Sequence, residues 1–390
     1  MFIRIIIFFV SIALAVNLNS NGIMHKDSTK VFALVNCLLI NGTGNEPIEN
    51  ATIIIRDNLI EFSGKSLDAP IPDNAEIIDL KGATALPGFI NTHVHQDYND
   101  ANLKKWAAEG VTTVRDLGVR EYTPDTFSKR DILSSDVFNA RLLAAGPIVT
   151  TVNGYGTMEV TSPGDAEDKV NNLLENGADL VKIAIEDNLQ MRTFPLLTEE
   201  EIKTIVNTAH KNDTKVSAHI SRTYQIAMAI SGGVDDLAHM AVDEVSDSII
   251  INLVTENIYW VPTLELWKEV SDMYELDWFD IAKNNLKKFV SAGGKVALGT
   301  DYAGYITPFD LGMPIREILW MKDAGMTPMQ IIVSATKNSA FICNLQDILG
   351  TLESGKIADV LVVNGNPLVD LNTLANTKMV IHNGVVIVNK

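Results

Sequence analysis

A chain of 390 residues with 46% hydrophobic and 21% charged residues carries enough apolar material for one large domain or two ordinary ones, and its composition excludes a disordered chain. Its 49 acidic residues against 31 basic ones leave a formal charge of −18. Such a surface repels phosphate backbones, and no basic patch interleaved with aromatics interrupts it, so nucleic acid is excluded as an expected partner.

In chain order, the first 22 residues stand apart. Arg4 is followed by an apolar run, Ile5 to Val16, broken by Ser11, and then by the small polar stretch Asn17 to Gly22. This is the layout of a secretory signal, with Ala13-Leu14-Ala15 as a small-x-small cleavage site. The run is shorter than the roughly 20 residues that span a bilayer. The expectation is a leader over 1–22 and a secreted or periplasmic mature chain with no membrane attachment. Cys37 and Cys343 are the two cysteines, and both sit in apolar runs. Buried free thiols are favoured over a disulfide between them.

Residues 30–85 read as short strands with turn punctuation: Val31 to Ile40, Ala51 to Arg56, Leu59 to Ser63 and Glu76 to Leu80. Asp57-Asn58 is a tight-hairpin signal. The same texture returns in Ala358 to Val363, Met379 to His382 and, after Asn383-Gly384, Val385 to Val388. A small β domain assembled from 30–85 and 350–390 is expected, with 86–349 inserted between its halves. Inside the insertion, strand-like runs fall at 86–93, 111–117, 141–149, 179–185, 215–220, 235–240, 259–264 and 296–300. Amphipathic stretches lie between most of them. The clearest opens at Thr198, with Glu201 placed to complete a capping box and Ile202, Ile205, Val206 and Ala209 forming an apolar stripe. Thr327-Pro328-Met329-Gln330 opens another, with Pro at the first helical position. Strands alternating with helices over this length predict an α/β fold of the (β/α)8 TIM-like barrel type, whose functional groups stand at the C-terminal strand ends.

The polar residues ending these runs form a pattern. The first run ends in His93 and His95, whose i, i+2 spacing puts both on one face of a strand. The fourth carries Lys182 among apolar neighbours, the fifth and sixth end in His219 and His239, and the eighth ends in Asp301. Each alone has an ordinary explanation: a core histidine, a snorkelling lysine, a helix cap. Six groups from five strand ends, converging on one rim, point to a divalent metal site.

Several motifs together resemble the amidohydrolase superfamily, in particular its imidazolonepropionase-like and metal-dependent prolidase-like branch. They are Leu86-Pro87-Gly88-Phe89-Ile90-Asn91-Thr92-His93-Val94-His95, Gly110 to Asp116, Val181-Lys182-Ile183, Ser217-Ala218-His219, Gly233 to His239, Gly299-Thr300-Asp301 and Leu352 to Val360. The resemblance runs from about residue 30 to the end. It implies a barrel with a split β-sandwich domain, and a binuclear site. His93, His95 and Asp301 would bind one metal, His219 and His239 the other, and Lys182 would bridge them as a carbamate. A metal-bridging hydroxide would attack a C–N bond of a small amide or dipeptide-like substrate, with Asp301 shuttling the proton. Zinc suits imidazole and carboxylate ligands first; manganese or cobalt are also compatible. The resemblance carries one departure: Tyr155 stands where the family commonly has a histidine facing the substrate carbonyl, and a phenol supplies one hydrogen bond but no cation. Arg222 and Tyr224 are candidates to hold a substrate carboxylate, or else solvated residues at a helix start. Ester, lactone or phosphotriester hydrolysis on the same site, or a metal-free scaffold, are the competing readings. The chain is expected to act on its small substrate alone or as a homo-oligomer. His25, His210 and His382 are given no role in the site.

Overall fold

The computed structural model describes residues 30–95, 98–189, 192–303 and 309–390. The leader expected over 1–22 and His25 lie outside the described residues.

One eight-stranded sheet takes strands from both ends of the chain. Val31–Leu39, Ile48–Arg56 and Leu59–Lys65 form an antiparallel meander, and Arg56 faces Leu59 across the Asp57-Asn58 turn, where Asp57 adopts φ 54°. Thr84–Pro87 pairs antiparallel with Val360–Val363, which continues through Thr377–His382 to Val385–Asn389. Alternate residues of these strands (Phe32, Leu34, Ile53, Ile55, Val360, Val362, Ile381) share one buried cluster. That alternation is what the period-two spacing of their apolar residues dictates.

The run expected as a single strand over 86–93 is divided between two sheets at Gly88. Thr84–Pro87 belongs to the eight-stranded sheet, whereas Phe89–Val94 pairs in parallel with Val111–Asp116. The Gly88 amide donates to Asp359 O and the next amide, Phe89, to Gly110 O. A Cβ at position 88 would lie 2.3 Å from Thr112 Oγ1, so the crossing needs a residue without one.

Between Phe89 and Val261 the strands of two sets run parallel. Phe89–Val94, Val111–Asp116 and Arg141–Ala144 form one set; Ile148–Thr151, Val181–Ala184, Val216–His219, Asp236–Ala238 and Tyr259–Val261 belong to another. The run expected over 141–149 is therefore two strands, interrupted where Gly146 turns to φ 74°. Asp179 N donates to Ala144 O and joins the sets. Residues 296–300 make an isolated bridge, Val296 to Trp260, rather than the regular strand expected. The Leu298 amide donates to Ser334 O, just past the helix Pro328–Val333, rather than to a strand neighbour. Thr92 N donates to Leu298 O and Asp301 N to His93 O, so backbone bonds return to the first strand.

The helix Glu199–Lys211 has its expected capping box, Thr198 Oγ1 accepting from Glu201 N and Glu201 Oε2 from Thr198 N. Ile202, Ile205, Val206 and Ala209 are all at most 2% exposed. Pro328–Val333 opens with the same device between Thr327 and Gln330. Cys37 and Cys343 are buried and free, burial pushing both thiols up to about 12. No helix among the described residues is long and apolar enough to cross a membrane.

Candidate metal centre

His93 lies within the strand Phe89–Val94 and His95 one residue past its end, so the strand's period aims both rings the same way. Asp301 follows the segment that docks beside them and holds φ 63°, in the left-handed region. His93 Nε2 is 3.0 Å from Asp301 Oδ1, His95 Nε2 is 3.2 Å from the same oxygen, and the two nitrogens are 3.3 Å apart. His95 Nδ1 lies 2.9 Å from Gly118 O. A carbonyl can only accept, so Nδ1 carries a proton, and Nε2 is the ring nitrogen turned to Asp301. A carboxylate this close to an imidazole nitrogen needs a proton or a cation between them. Three ligand atoms 3.0–3.3 Å apart are also spaced like the edges of a tetrahedron about a zinc ion, roughly 3.3–3.4 Å for bonds of about 2.0–2.1 Å.

His219 ends Val216–His219 and His239 directly follows Asp236–Ala238, with φ 78° at His239. Their ring centroids are 4.6 Å apart, and His239 is 4.6 Å from His93, so the four imidazoles are contiguous. His239 Nδ1 is 2.9 Å from Thr263 Oγ1. Lys182, in Val181–Ala184, is 1% exposed, and its Nζ has no hydrogen-bond partner among the described residues. The same holds for His93 Nδ1, while His219 Nε2 and Asp301 Oδ1 have ion-pair contacts that fall outside hydrogen-bond geometry. So many buried, unsatisfied polar atoms around one point fit a group that binds them together, as divalent ions and a carbamylated lysine would.

The electrostatics agree with that fit. Burial drives His93 down to about 3, partly opposed by Asp301. At His95 burial acts in the same sense, but the Asp301 carboxylate outweighs it and the ring is shifted up. Burial also disfavours the charge on Asp301, yet the facing His93 and His95 hold its carboxyl well below the usual range. Lys182 is drawn down to about 7 by burial, with Asp236 and Asp301 opposing. Burial thus favours the neutral amine at this position.

Beneath the site, Arg115 and Asp236 form a fully buried bidentate pair at 2.9 and 3.0 Å. Arg115 Nε donates to Thr92 O at 2.6 Å, next to His93, and Ser217 Oγ donates to Asp236 Oδ1 at 2.7 Å. Sequence reasoning gave these residues no role. It also passed over Glu186, which is fully buried, with Oε2 3.4 Å from His219 Nε2. Burial works against its charge, but His219, Ser221 and the Asn188 amide hold it down to about 2. The signal was present: Glu186 is the acid that ends the run Leu180 to Ile185, as Asp301 ends its own.

Of the three candidates for substrate contact, Tyr155 lies on the cluster, its ring centroid 4.9 Å from His219 and 5.6 Å from Phe194. The Arg222 guanidinium sits 5.4 Å over the Trp278 ring. Tyr224 is 44% exposed, and its hydroxyl donates to Asp187. His210 pairs with Asp235 at 2.8 Å, and His382 Nδ1 donates to Val137 O at 2.8 Å, both away from the cluster.

A family model described as the amidohydrolase family matches residues 84–387. The chain is 27% identical to an ochratoxinase of Aspergillus niger over 427 aligned positions, covering 92% of this chain and 86% of that protein. It is 23% identical to an imidazolonepropionase of Fusobacterium nucleatum subsp. nucleatum, over 81% of this chain and 86% of that one. Among solved structures, a Xaa-Pro dipeptidase with bound methionine in its active site superposes with a TM-score of 0.80 at 24% identity, covering 92% of this chain and 99% of that one.

Proposed function

The chain belongs to the amidohydrolase family, and on that premise we propose that it is a binuclear metal-dependent hydrolase cleaving a C–N bond of a small amide or dipeptide-like substrate. In this reading residues 86–349 form a (β/α)8 barrel and the strands of both chain ends a β-sandwich beside it. The carrying observation is the approach of His93 Nε2, His95 Nε2 and Asp301 Oδ1 to within 3.0–3.3 Å of one another beside the unpartnered Lys182 Nζ.

His93, His95 and Asp301 would hold one divalent ion and His219 and His239 a second, with zinc the first choice and carbamylated Lys182 joining them. When bound, such ions supply Lewis acidity toward the scissile carbonyl and make water nucleophilic near pH 7. The chain's residues supply the rest. Asp301, kept anionic by the facing histidines, accepts the proton of the attacking water and returns it to the leaving nitrogen. Tyr155, against His219, offers a neutral donor toward the substrate. Arg222 offers a planar cation for a substrate carboxylate at the rim. The reading extends to a secreted or periplasmic protein that meets its small substrate outside the cytoplasm.

The test is metal content measured alongside a panel of N-acyl amino acids, dipeptides, esters, lactones and phosphotriesters. About two ions per chain with turnover of amides is the expected result. Turnover confined to esters or phosphotriesters would overturn the C–N assignment, and a metal-free, inert chain would overturn the enzyme.

A further inference from the structure

The helix Leu264–Tyr274 begins at a residue that does not cap it. Thr263 stands at the N-cap position, where a threonine hydroxyl ordinarily accepts from the third helical amide. Here Thr263 makes no such bond and adopts φ 48°, ψ 46°, a left-handed conformation that is an outlier for a β-branched residue. Its hydroxyl meets His239 Nδ1 at 2.9 Å instead. The capping is done from another helix: Glu317, fully buried in Ile315–Asp323, accepts from Leu264 N at 3.0 Å and from Glu265 N at 2.7 Å.

The two departures explain each other. Left uncapped, the first buried amides of the helix would be unsatisfied, and a buried donor without a partner keeps its full desolvation penalty. A threonine released from capping would gain nothing from a strained backbone unless its hydroxyl had another partner. The neighbouring residue, His239, is itself at φ 78°, so both sides of this contact are held in uncommon backbone conformations. Resting on the metal reading above, we propose that Glu317 and Thr263 are positioning residues for His239: Glu317 caps the helix so that the Thr263 hydroxyl can hold His239 Nδ1 and leave Nε2 directed at the second ion. In this arrangement Nδ1–H donates to Thr263 Oγ1, and the ring is the tautomer whose Nε2 lone pair is free.

The experiment titrates the metal-stripped full chain with zinc alone, by calorimetry under chelator competition, for wild type, Thr263→Val, Thr263→Ser and Glu317→Gln. Valine keeps the β-branch and removes the hydroxyl; serine keeps the hydroxyl and removes the branch. The expected result is two ions in wild type, one of them bound ~10–100-fold more weakly in Thr263→Val, with the other unchanged. Thr263→Ser recovers the loss, and Glu317→Gln weakens the same ion. Circular dichroism of the stripped proteins establishes that Thr263→Val is folded, and that variant decides the matter if Glu317→Gln is not. Two ions bound by Thr263→Val as tightly as by wild type, or both ions weakened equally, would overturn the positioning role. A wild-type chain that takes up no zinc would overturn the metal reading itself, which keeps the two failures distinct.

Discussion

Lys182 is buried to 1% exposure among apolar strand neighbours, with no hydrogen-bond partner among the described residues for its amine. An unmodified ammonium there would pay for desolvation and face any bound cation; a carbamate would reverse the sign of its charge and supply two ligand oxygens. Lys182→Ala should therefore lose two-ion occupancy, and a short carboxylic acid should restore part of it. Full activity of the untreated variant would remove the bridging role. Arg115 poses the opposite problem, a fixed charge that stays buried because Asp236 meets both ends of its guanidinium. Arg115→Leu leaves Asp236 as an uncompensated buried charge and should cost about 3–5 kcal/mol in urea unfolding. Adding Asp236→Leu should recover much of that loss, and strict additivity of the two changes would show that the pair is not coupled.

At the scale of elements, most starts and stops were legible from neighbouring residues. The Thr198 capping box, the helix start at Pro328 and the Asp57-Asn58 turn each depend on contacts within four residues, and all three form as read. The misreadings have a common cause. Residues 86–90 carry no polar side chain, and periodicity does not reveal that Gly88 hands the chain from one sheet to another. The run over 141–149 likewise conceals a break at Gly146. Gly88→Ala should destabilise by about 1–3 kcal/mol, because its Cβ would meet Thr112 at Oγ1, Cγ2 and Cβ together. Thr112→Ala in the same chain should relieve part of this. Thermal unfolding of the single and double variants tests it, and an unaffected Gly88→Ala would show that the crossing has room.

For the whole molecule, the cluster joins residues from 93 to 301, so ions bound there would brace segments far apart in the chain. Each site would stabilise the folded state by about 2.7 kcal/mol at free metal 100 times its dissociation constant. The melting temperature should rise with added zinc and fall on chelation, and Lys182→Ala should blunt the dependence. A melting temperature indifferent to both treatments would count against the site. The amino-acid sequence alone determined which strand-like runs carry a histidine, lysine or aspartate, where the clearest helices start, and which segments alternate. Those properties are set by spacing along the chain. Only the tertiary structure decided that Arg115 meets Asp236 across 121 positions, that Glu317 caps a helix beginning 53 residues earlier, and that Glu186 turns toward His219. No local period encodes them: a buried charge takes whichever partner the closing of the fold brings within reach.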